Sequence, residues 1–99
     1  MSIGESDREI FLSINIQQSF VLCCNTADQI GRLQESNQVL NMLIVKTRYG
    51  FQSVKLRINL CPHEGGTMVS IQGASDDIWG GGARRGIDKF VAALSEQTA

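Results

Sequence analysis

Two stretches carry residues whose types and spacing could do chemistry. In the first, Cys61-Pro62-His63-Glu64, a thiol, an imidazole and a carboxylate stand almost side by side. A cysteine within reach of a histidine can act as nucleophile and base, but only the amides of Gly65 and Gly66 are near enough to hold an oxyanion. Zinc takes three or four ligands, and no second group of Cys and His is present to complete a site. These residues point to an exposed turn histidine beside a strand-end cysteine. The expectation is a chain that is not an enzyme, with no catalytic residue, no metal and no cofactor.

The second stretch is Trp79-Gly80-Gly81-Gly82-Ala83-Arg84-Arg85-Gly86. A glycine run entering a helix leaves backbone N–H groups uncovered at the positive end of the helix dipole, where anions can bind. Arg84 and Arg85 add positive charge to that end, which suits a visiting anion or acidic partner; Asp76 and Asp77 offer the alternative of local neutralisation and capping. The run lacks the Gly-Lys-Ser/Thr of a P-loop and follows no parallel βαβ strand, so it is not a dinucleotide fingerprint. Trp79 reads either as a core plug or as an interface anchor. Trp79, Gly80, Gly81, Gly82, Arg84 and Arg85 are therefore the candidate binding loop.

What must position these stretches is a sheet. Val54, Leu56, Ile58 and Leu60 alternate with Ser53, Lys55, Arg57 and Asn59, as in a strand buried on one face. Val39 to Thr47 precedes it as a nearly continuous apolar strand of ambiguous register, joined through a short loop with Gly50 for a left-handed position. After the turn Cys61 to Gly66, Thr67, Val69 and Ile71 resume the alternation. The exposed face of this meander would show Phe11, Ser13, Asn15, Lys55, Arg57, Asn59, Met68 and Gln72. One aromatic beside Lys55 and Arg57 is a weak echo of sheets that stack single-stranded bases.

Upstream, Ile10, Leu12, Ile14 and Ile16 read as one more one-faced strand after an acidic leader, residues 1–9, expected to be disordered. Phe20, Cys23, Cys24, Ala27 and Ile30 then recur at helical steps, with Ser19 as N-cap and Gly31 as the left-handed terminal residue. A rival reading makes Phe20 to Cys24 a strand and starts the helix at Thr26. Arg32 to Gln38 is polar and reads as a connection. Ile87, Phe90, Val91 and Leu94 mark the buried face of a closing helix on which Arg84 and Asp88 stand close enough to pair, and residues 96–99 read as a tail. The fold class is α+β, β-α-β-β-β-α: one domain over residues 10–95, a four-stranded antiparallel sheet with two helices on one face.

The run from Gln18 through Gly31, the meander and a final helix opening at Trp79-Gly80 resemble small bacterial helix-grip domains, such as those of the outer-membrane barrel-assembly lipoprotein C subunit and several uncharacterised families. The likeness covers most of the chain from Ile10 and implies a binding or scaffolding module without catalysis. The lipobox cysteine and export signal of such lipoproteins are absent from this sequence.

Composition narrows the classes further. Ninety-nine residues, 42% of them hydrophobic, suffice for one core without metal or disulfide. A formal net charge of -1 gives no overall attraction to nucleic acid or anionic membrane. Three cysteines, two of them adjacent, fit a reducing compartment, and the polar residues between Ile10 and Cys24 exclude a membrane span, so the expected address is cytoplasmic. The function expected is a binding module contacting another protein, or itself, through the Trp79 to Arg85 loop or the open sheet face. The alternative is a carrier of a small apolar ligand in a cavity lined by Ile14, Ile58, Val69 and Phe90. Anion or single-stranded nucleic-acid binding comes third.

Overall fold

The computed structural model describes residues 5–49, 52–75 and 81–98. In chain order they form β1 (Glu5–Leu12), α1 (Ile16–Ile30), β2 (Gly31–Asn37), β3 (Met42–Tyr49), β4 (Gln52–His63), β5 (Gly66–Ser75) and α2 (Gly81–Thr98). The strands lie in the order β1-β5-β4-β3-β2, every neighbouring pair antiparallel. β1 and β2, which α1 connects, are thus the two edges of the sheet. Four strand spacings of about 4.8 Å make roughly 19 Å, which a helix of 15 residues spans at about 1.5 Å per residue. The helix must therefore cross the sheet and cover it.

The period-two sorting holds along the centre of the sheet. Val54, Leu56 and Ile58 are fully buried and Leu60 nearly so, while Lys55 and Arg57 are exposed. The ambiguous strand resolves with Leu43, Val45 and Thr47 inward and Met42, Ile44, Lys46 and Arg48 outward. Against the inward set pack Phe20, Cys23 and Ala27 of α1 and Ile87, Phe90 and Leu94 of α2, in one core cluster.

The sheet has five strands rather than four. The fifth is β2, which falls on the segment expected to be a polar connection. Its side chains gave no alternation because a bulge between Leu33 and Glu35 shifts the register, and only Leu33 packs against the core. Backbone pairing with β3, with Arg32 opposite Lys46, makes it a strand. The acidic leader is likewise part of the sheet: from Glu5 onward it is edge strand β1, with Asp7 opposite Gln72 and Glu9 opposite Ser70. Charges on an edge strand discourage pairing with other chains. β1 stops at Leu12, short of Ile14 and Ile16. The expected tail is also structured, since α2 runs on to Thr98 and Gln97 Nε2 donates to Thr26 Oγ1 at 2.7 Å and Gln29 Oε1 at 3.2 Å, tying the two helices.

Both expected ends of the first helix are corrected. Asn15 is the N-cap, its Oδ1 accepting from Gln18 N at 2.8 Å, and Ser19 lies buried inside the helix. Phe20 to Cys24 is helical, so the rival strand is excluded too. Gly31 has φ -177°, extended rather than left-handed; glycine is needed because a Cβ there would collide with the Lys46 carbonyl. β3 begins at Met42, leaving Val39 and Leu40 exposed on a turn held by Asn37 Oδ1 accepting from Leu40 N at 3.0 Å and by Asn41 at φ 53°. β4 continues through Cys61, Pro62 and His63, so the expected six-residue turn shrinks to Glu64-Gly65, with Gly65 at φ 80°. Asp88 pairs with Arg8 of β1 at 3.0 Å instead of with Arg84. The loop glycine Gly50 lies outside the described residues.

Candidate functional site on the open sheet face

Because both helices pack on the side of Leu56 and Ile58, the opposite parity of every strand faces outward. The register arranges that face in rows. One row runs Ala74, Lys55, Lys46, Arg32 across β5, β4, β3 and β2; the next runs Asp7, Gln72, Arg57, Ile44, Glu35 across all five strands. Arg48 stands two residues beyond Lys46 on the same parity, opposite Ser53. Lys89 reaches this end from α2, donating to Thr47 Oγ1 at 3.4 Å and to the Arg48 carbonyl at 3.5 Å. Arg32, Lys46, Lys55 and Arg57 form no ion pair among the described residues. The carboxylates Asp7 and Glu9 occupy the far edge and Glu35 the β2 end of the second row, so most of the acid lies at the edges and the cations concentrate on β2, β3 and β4.

Lys46 and Lys55 sit directly opposite each other, and like charges in that position oppose strand pairing. Two shallow depressions open among them, one between Gln34, Lys46, Ser53 and Lys55, the other between Arg32, Lys46, Arg48 and Lys89. The arrangement can hold anionic groups across neighbouring strands.

Phe11 does not stand beside the cations. It lies level with Met68 and Cys61, about 20 Å along the sheet from Lys55, and meets His63 edge to face with ring centroids 5.9 Å apart. Cys61 and His63 share the outward side of β4 and both are exposed. Among the described residues, no three His, Cys, Asp or Glu side chains gather as a metal site requires.

The candidate loop is split. Trp79 and Gly80 lie outside the described residues, while Gly81, Gly82, Arg84 and Arg85 form the first turn of α2, a helix rather than a loop. Arg84 and Arg85 are exposed, on the helix side of the sheet, away from Lys55 and Arg57. Part of the local glycine content serves close approach: a Cβ on Gly86 would stand 2.7 Å from Val54 Cγ1. Of the proposed cavity lining, Ile58, Val69 and Phe90 are fully buried in the core cluster, whereas Ile14 borders a surface depression with Gln18, Val21 and Leu22.

Lys55 and Arg57 of this face were legible in the sequence as outward residues of a strand, whereas Arg32, Lys46, Arg48 and Lys89 were not. Lys46 came closest, because it takes the parity opposite Leu43, Val45 and Thr47. Arg32 was hidden with its strand.

The thiols differ sharply. Burial first, and then the neighbouring Cys24, push Cys23 from the ordinary 9.0 up to about 12. Burial, followed by Asp28, also raises Cys24. In the native protein at pH 8, a thiol-specific disulfide reagent is expected to modify exposed Cys61 first and Cys23 only on unfolding; prompt modification of Cys23 would contradict its place in the core. The folded state holds the Cys23 proton where the unfolded chain releases it. Its contribution to stability is therefore intact below pH 9 and declines as pH rises toward 12. Melting temperature should fall over that window less steeply in Cys23→Ala than in the parent.

No protein-family model matches the chain, and no curated protein matches it. No helix of the described residues is long and apolar enough to cross a membrane.

Proposed function

We propose that this α+β domain, of helix-grip-like build, is a non-enzymatic interaction module that takes another protein on the open face of its sheet. The observation that supports this reading is the concentrated charge, without ion pairs among the described residues, on the face opposite α1 and α2. Cations opposed across strands cost stability in the isolated fold, and departures from local consistency concentrate where a protein does its work. Ile44, Met42, Met68 and Phe11 lie among the polar residues of that face, and methionine, aromatic residues and arginine are the types enriched in protein interfaces. Free Cys61, exposed on the same face, suits a reducing compartment such as the cytoplasm.

A photo-cross-linking residue placed at Arg57 tests this in living cells, with the same residue at Asn25, exposed on α1, as the comparison. The expected result is a discrete covalent adduct with one protein from position 57 and none from position 25. Adducts from position 25 alone, or from neither, would overturn the reading.

A further inference from the structure

The cationic row is more specific than a generally polar face, and its chemistry names a partner. Lys55, Lys46 and Arg32 stand on three adjacent strands, so their backbones span about 10 Å, with Arg57 and Arg48 each about 7 Å further along a strand. The two depressions share Lys46, which makes this end of the face concave as well as positive. The chain has nine Lys and Arg in all, yet Arg32, Lys46, Arg48, Lys55 and Arg57 gather here, with Lys89 at the edge from the helix side.

We propose that the cationic end of the sheet, formed by Arg32, Lys46, Lys55 and Arg57 with Arg48 and Lys89 at its rim, binds an acidic segment of a partner protein laid across β4, β3 and β2. This rests on the open-face reading above and gives it a partner class. Complementary charge both attracts such a segment and sets its position, since Glu35 on β2 and Asp7 and Glu9 on β1 bound the cationic field and repel carboxylates placed elsewhere. Ile44, half-buried beside Arg57, offers apolar contact to side chains between the acids.

A peptide fits better than a nucleic acid strand. A short acidic segment laid across β4, β3 and β2 ends before Asp7 and Glu9 on β1, whereas a phosphate chain that continues across the sheet meets both carboxylates. The one aromatic described on this face, Phe11, is at the other end and occupied with His63, so among the described residues no stacking platform adjoins the cations.

Fluorescence anisotropy of the full chain with a labelled octaglutamate peptide, and separately with a ten-nucleotide oligothymidylate, tests the proposal. The peptide should bind, weaken at least tenfold between 50 and 300 mM salt, and lose at least tenfold in Lys46→Glu/Lys55→Glu. Arg84→Glu, on the exposed side of α2, should bind as the parent does. Circular dichroism of the double variant confirms that the fold is kept, and single Lys46→Gln gives a milder readout of the same contact. Absent peptide binding, equal loss in Arg84→Glu, or tighter binding of the oligonucleotide than of the peptide would each overturn it. Should the peptide fail while position 57 still cross-links a protein in cells, the acidic partner is wrong and the open-face reading stands; failure of both removes the reading as well.

Discussion

Phe90→Ala is expected to destabilise the domain by about 3–5 kcal/mol, the range for emptying a buried phenylalanine site. Phe90 is 0% exposed and belongs to the cluster that joins α2 to α1 and the sheet. Its removal leaves a cavity that neighbours on a fixed sheet cannot close. Small domains carry only about 5–15 kcal/mol in total, so the loss should lower the melting temperature by more than about 10 °C. Thermal unfolding followed by circular dichroism reads this, with Phe90→Leu expected to lose clearly less. A melting temperature within 2–3 °C of the parent would mean that α2 does not seal the sheet through this ring.

The second large effect concerns the strand that carries Arg32. Gly31 joins α1 directly to β2 and stands opposite Thr47 in the ladder, with the Lys46 carbonyl where a Cβ would be. A backbone oxygen held in a strand cannot swing aside as a flexible side chain can. Gly31→Ala should therefore push β2 off β3, at about 1–3 kcal/mol, the usual range for overpacking. It should also displace Arg32 from its place beside Lys46. Amide hydrogen exchange should show protection lost across residues 31–37 and kept in β4 and β5. Unchanged protection of β2 would show that the strand tolerates the extra methyl and that the close approach is not a constraint.

These two residues also show what could be read from the chain and what could not. Phe90 was legible because helical spacing with Ile87 and Leu94 marks a buried face. The alternation of Val54 to Leu60 was legible for the same kind of reason, since burying one face of a strand leaves a period of two. Gly31 was legible as a helix terminator but not in its true role, because a steric contact with a strand fifteen residues later leaves no local trace. β2 was missed because an edge strand with a bulge and a single core-facing Leu33 is held by its backbone pairs, to which side-chain periodicity is blind. Glu5 to Glu9 was missed similarly: a charged edge strand looks like a solvated leader until its partner β5 is known. The site followed the same division. Lys55 and Arg57 could be found on a clean strand, whereas their cross-strand neighbours depended on a register that only the assembled sheet reveals.

Titrating isotopically labelled protein with the octaglutamate peptide, and mapping amide shifts residue by residue, addresses the open cationic face most directly. Shifts are expected at Arg32, Lys46, Lys55, Arg57 and their row neighbours, saturating together, with α1 and residues 81–85 of α2 unmoved. Shifts centred on Gly81 to Arg85 with the sheet face silent would place recognition on the opposite side of the molecule and contradict it.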